Sequence, residues 1–166
     1  MAHTYRAICP DGIDISPDMI EFLGDFYRIS DIPGEHDQYV DLFMPSATFI
    51  LASKRASGKE GSRLQPASPA QTAMANSQPE IMNTRIGMWS AVASRRHTVH
   101  KVFPSSNSSN EFMLYGSVAL GLRSGANIDV DWAARADIVK AADGKWRMKF
   151  YQVYLDTGAI TAAANQ

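Results

Sequence analysis

The chain has one cysteine, Cys9, among 166 residues, so no internal disulfide can staple it. Stability must come from a buried core. Charge of one sign is also lacking: 16 basic against 17 acidic residues give a formal net charge of -1, which supplies no field toward nucleic acid or an anionic membrane. No run is long and apolar enough to span a bilayer, since the best of them, Phe112 to Leu122, is interrupted by Gly116 and Gly121. The opening Met-Ala-His-Thr-Tyr-Arg lacks the apolar stretch of a signal peptide. These absences lead us to expect a cytoplasmic protein without nucleic-acid or membrane partners. Glycine-rich phosphate loops, a nucleophile elbow and CxxC pairs are missing too, and no cofactor or metal is expected.

What is present fits one domain over residues 1–166, at 45% hydrophobic and 20% charged. Ser16-Pro17-Asp18 reads as a helix start in which the serine side chain accepts from a free amide. Met19, Leu23, Phe26 and Tyr27 then share one face, predicting a helix to about Ser30. A second short helix carries Tyr39, Val40 and Phe43 and stops at Pro45, and Thr48 to Leu51 reads as a strand. Residues 54–80 are small and polar, with too little apolar surface to order as a core element, so we expect a flexible insertion or a lid. Met82, Ile86, Trp89 and Ala93 mark a third helix, with Arg95 and Arg96 suited to its negative end.

Four strands follow: His97 to Phe103, Glu111 to Leu122, Asp129 to Lys140 and Trp146 to about Leu155. Asp143-Gly144 supplies the last hairpin turn, and the Ala- and Thr-rich tail from about residue 158 is expected to fray. The order predicts an α+β fold, a curved antiparallel sheet wrapped over three helices and enclosing a pocket.

That element order resembles the NTF2-like superfamily, and especially its SnoaL-like and scytalone dehydratase-like members. The residues that carry the resemblance are Tyr39-Val40-Asp41-Leu42-Phe43-Met44-Pro45-Ser46-Ala47-Thr48-Phe49, Arg95-Arg96-His97 and Asp143-Gly144-Lys145-Trp146. It implies a cone-shaped fold with an apolar cavity and a dimer through the outer sheet face. It also implies catalytic roles for Asp31 and His97, which fall where the family's aspartate and first histidine stand. The position of the family's second histidine falls in Val130 to Trp132 and offers none.

Histidine's ordinary pKa lies near neutrality, which makes His97 the natural general acid or base, with Asp31 to orient it. The plainer account is a core or rim histidine bonded to a backbone carbonyl. His97 and His100 would point to opposite sides of a strand, about 10 Å apart, which argues against a shared metal. Asp129 and Asp131 alternate with Val130 and Trp132 and read as a solvated face. Tyr27, Tyr39, Trp89 and Trp132 are the candidate substrate-binding residues. Two functions follow. One is cofactor-free lyase or isomerase chemistry on a polyketide-like substrate; the other is non-catalytic binding of a small hydrophobic or aromatic ligand, or of a protein. Apolar groups on both faces of Glu111 to Leu122 predict a homodimer.

Overall fold

The structure is a computed structural model and describes residues 5, 6, 8–52, 54–57 and 80–164. Helix α1 spans Pro17–Ser30 and buries Met19, Phe22, Leu23, Phe26 and Tyr27. The Ser16 side chain makes no capping bond, contrary to expectation; its carbonyl accepts from Met19 and Ile20 instead. Helix α2, His36–Asp41, gives way to strand β1, Phe43–Leu51, so Pro45 lies inside a strand rather than ending a helix. It is tolerated because the β1 ladder to its neighbour is irregular between Phe43 and Thr48, where a missing N–H costs nothing.

The expected insertion begins with a short strand, β2, at Lys54–Ser57, and ends where α3, Glu80–Gly87, starts. Its remainder, 58–79, lies outside the described residues. Helix α3 is shorter than its apolar spacing predicts: the chain turns after Gly87, where Ser90 Oγ donates to the Gly87 carbonyl at 2.8 Å. Trp89 and Ala93 are therefore not on the helix. Strand β3 then runs Val92–Pro104, β4 Glu111–Leu122, β5 Asn127–Lys140 and β6 Trp146–Leu155. In the tail, Thr157–Ala164 form a helix, α4, opened by Asp156, whose carboxylate accepts from the Gly158 and Ala159 amides.

The sheet order is β2-β1-β6-β5-β4-β3, and it curves over the helices as an unclosed cone. Its neighbours pair antiparallel except β1 and β6, which run parallel. Period-two alternation decides the faces. Phe112, Leu114, Val118 and Leu120 of β4 and Val130, Trp132, Ala134, Ala136 and Ile138 of β5 point inward, while Met113, Tyr115, Asp129, Asp131 and Arg135 are exposed. Phe26 centres the core, its ring 4.9 Å from Tyr151 and 5.3–5.7 Å from Tyr27, Tyr39 and Phe43. Among the described residues no helix is long and apolar enough to cross a membrane.

Candidate active site

The site grows from the buried C-terminus of α1. A helix end leaves carbonyls without intrahelical partners, and inside a protein they need donors. Arg85 of α3 provides them: Nη1 donates to Ser30 O at 2.7 Å, and Nη2 to Ile32 O at 2.8 Å and Ile29 O at 3.3 Å. The side chain is fully buried, with its guanidinium 4.6 Å above the Tyr39 ring and 5.2 Å from that of Trp89. Arg95 of β3 adds a second guanidinium. Its Nη2 donates to Ser30 O and, at 3.1 Å, to Ser30 Oγ, and its Nε faces Asp31 Oδ1 at 3.3 Å. Burial lowers the Arg85 pKa to about 10 and lowers that of Arg95 as well, which leaves Arg85 charged at neutral pH.

Asp31, the residue that closes α1, meets His97 in two bonds. The His97 backbone N–H donates to Oδ2 at 2.6 Å, and its Nδ1 lies 2.5 Å from Oδ1. A carboxylate so placed keeps the imidazole proton on Nδ1 and the basic lone pair on Nε2. Burial alone would push the Asp31 carboxyl up, but the bonds from His97 and the Arg95 charge outweigh it and hold it below the usual 3.8. Burial chiefly, helped by the two arginines, drives the His97 imidazole below 6.5 against the pull of Asp31. His97 is therefore a neutral base held by an ionised acid. Tyr5, near the chain start, also stands against Asp31, and its phenol is raised first by burial and then by that carboxylate.

The polar cluster opens into a cavity of about 210 Å³. Its floor comes from β4, β5 and β6, through Val118, Leu120, Trp132, Tyr151 and Val153; Met88 and Ala91 follow α3, and Thr157 and Ile160 of α4 close one side. Tyr39, Ser30, Arg95 and His97 supply the polar end. Of the four expected substrate-binding residues, Tyr39 and Trp132 line the cavity. Tyr27 and Trp89 do not: Tyr27 is stacked behind Trp132 at 4.8 Å with its hydroxyl 3.1 Å from that of Tyr151, and Trp89 lies under both guanidiniums, its ring 4.6 Å from that of Arg95. Burial raises the Tyr39 phenol to about 12 and the Tyr151 phenol further, so both stay protonated.

Arg95 was expected to end a helix, and Arg85, Tyr5 and Tyr151 had drawn no assignment. Irregular pairing between Val92 and Ser94 and again between Val99 and Lys101 interrupts the alternation of β3, so that Val92, Arg95, Val99 and Val102 all become buried. A simple count of two cannot find that. His100 is on the opposite face from His97, 3.5 Å from Ser117 Oγ, as expected. No cluster of metal-ligating side chains occurs among the described residues.

No protein-family model matches the chain, and no curated protein matches it at a significant level. Solved structures do. A protein described as a SnoaL-like polyketide cyclase, from Jannaschia sp. CCS1, matches over 92% of this chain and 97% of its own, with TM-score 0.63 and 14% identity. The fold is NTF2-like. Nuclear transport factor 2 from Cryptosporidium parvum matches over 87% and 100% of the two chains (TM-score 0.59, 10% identity), and ActVI-ORFA from Streptomyces coelicolor over 84% and 95% (TM-score 0.59, 16% identity). A transport factor and a polyketide cyclase-like protein share this NTF2-like architecture, so the fold leaves activity to be argued from the site.

Proposed function

We propose that the chain is a cofactor-free lyase or isomerase, dehydratase- or cyclase-like, acting on a polyketide-like aromatic or apolar molecule. One observation carries this reading: a 2.5 Å contact between Asp31 and a neutral His97 in the wall of a mainly apolar cavity. With Nδ1 held by Asp31, His97 Nε2 takes a proton from carbon beside a carbonyl, and Asp31 stabilises the imidazolium that forms. Return of that proton to another carbon completes an isomerisation; delivery to a leaving hydroxyl completes a dehydration. Each step uses groups of this chain. Tyr39 and Tyr151, which line the cavity and stay protonated, are the donors that stand in for a second histidine.

Deuterium exchange at the α-carbon of β-tetralone, a two-ring enolisable ketone, tests the reading by NMR in heavy water. The wild type should accelerate exchange, and His97→Ala should lose about 10²- to 10⁴-fold of that rate while still folding. A second reading, non-catalytic binding of a small hydrophobic molecule, draws support from the absence of a histidine in Val130 to Trp132, the stretch where the family's second one stands. It takes over if bound β-tetralone exchanges no faster than in buffer.

The outer sheet face bears Phe103, Met113, Tyr115 and Tyr154, all more than two-fifths exposed, with Phe103 and Tyr115 stacked at 6.2 Å. A second copy of the chain covering that face makes the homodimer we propose. The lone cysteine accords with a cytoplasmic setting.

A further inference from the structure

The polar end of the cavity holds more positive charge than its helix terminus needs. Arg85 alone supplies donors to the carbonyls of Ile29, Ser30 and Ile32. Arg95 adds a second guanidinium to Ser30 O, which was already taken. Asp31 is the one carboxylate among the main electrostatic neighbours of both arginines, and it is also engaged by His97. Two guanidiniums against one carboxylate leave a buried excess of positive charge, an arrangement that is costly unless something compensates it. The α1 carbonyl end offsets about half a charge.

Arg85 is sealed off, and it is Arg95 that reaches the cavity. Its Nη2 is occupied by Ser30, and its Nε faces Asp31 outside hydrogen-bonding geometry. Nη1 meets no acceptor among the described residues. The cavity it reaches is also lined by the aromatic rings of Tyr39 and Trp132, and at about 210 Å³ the space is below the ~300–1,000 Å³ of drug-sized sites.

We propose that this cavity takes an acid: a one- or two-ring aromatic carboxylate whose oxygens meet the Arg95 guanidinium and whose rings lie against Trp132 and Tyr39. The inference rests on the cavity being the ligand site, as proposed above, and not on its catalysing any reaction. The carboxylate supplies the missing negative charge in a planar, charge-assisted contact. Arg95 and His97 both face Asp31 Oδ1, so a carboxylate on Arg95 puts the adjoining ring carbons next to the imidazole.

Titration of the wild type with β-naphthoate and with β-naphthamide, equal in shape and different in charge, tests this directly. The acid should bind about 10- to 100-fold more tightly, the range of a charge-assisted hydrogen bond. That preference should vanish in Arg95→Met and return in part in Arg95→Lys. If Arg95→Met does not fold, the wild-type comparison decides alone. Equal affinity for the two probes, or a preference that survives in a folded Arg95→Met, overturns the inference and leaves the cavity as a ligand site. Binding of neither probe overturns the inference and the pocket reading together.

Discussion

Around Phe26 the interior is solid. Five aromatic rings meet edge to face or tilted, and Phe112, Ala134, Ala136 and Met148 are fully enclosed. At the end of α1 the same sheet closes over Asp31, Arg85, Arg95, His97 and a void. The first region is held by area and dispersion, the second by hydrogen bonds between groups that would otherwise be expensive to bury. The difference lies in where a helix stops. Burying the end of α1 brings orphan carbonyls inside, the carbonyls require cations, and the cations bring a carboxylate and a place for polar chemistry.

That contrast is broken most severely from the packed side. Phe26→Ala should cost about 3–5 kcal/mol in urea unfolding, the range for deleting a buried ring, while exchange of β-tetralone per folded molecule changes by only a few-fold. Arg85→Met sharpens the other side: it strands the Ile32 carbonyl and leaves Ser30 O to Arg95 and Ile29 O to backbone amides, and we expect a loss of about 1–3 kcal/mol although a large apolar group is gained. A neutral result there would mean the helix end is satisfied without it.

Gly116→Ala tests the boundary between the regions. An added Cβ would stand 2.0 Å from the Thr98 carbonyl oxygen and 2.8 Å from Trp132, the residue that both stacks on Tyr27 and lines the cavity. We expect about 1–3 kcal/mol of destabilisation with weakened naphthoate binding, and unchanged affinity would separate Trp132 from the site.

Acid should weaken only the polar side. The folded pKa of His97 is below 6.5, so the unfolded chain binds that proton first; its contribution is full above about 6.5 and drains as pH falls from there. Asp31, held below 3.8, contributes fully above that value and is lost further down. The urea midpoint of the wild type should therefore drop between about pH 7 and pH 5, and His97→Gln should not show that drop. By contrast, Tyr115→Glu on the outer face should leave stability within about 0.5 kcal/mol and alter only the mass in solution, from that of two chains to one. A wild-type mass of 18.2 kDa would remove the dimer instead.

The sequence made the packed region readable and the polar one only in part. Strands β4 and β5 declare themselves because inward and outward residues alternate without interruption, and β4 and β6 have the expected ends although a register shift breaks the alternation of β6 between Met148 and Tyr151. Asp31 and His97 were placed by likeness to a family, and the structure puts them 2.5 Å apart. Arg85 could not be found in this way. An arginine in a weakly amphipathic stretch reads as solvated, and its burial depends on carbonyls 53 to 56 residues away. Arg95 was hidden by the irregular pairing of β3, which shifts the inward face by a residue. The tail escaped because a stretch of seven small residues and one isoleucine has little pattern of its own; α4 is held by the Asp156 cap and by the packing of Ile160 and Ala163 on the core.

The parallel pairing of β1 with β6 carries a consequence for how the molecule assembles. The β3–β4–β5–β6 meander joins neighbours in sequence and can form early, whereas β1 must wait for a strand that comes only after β2, α3, β3, β4 and β5. The contact of Tyr27 with Tyr151 spans 124 residues and belongs to the same late event. Closing so long a loop is entropically expensive before its contacts exist, so the cone seals last and its apolar lining stays open until then. The cavity is then a product of the final folding step, and any molecule that filled it would also favour completion of the fold by mass action.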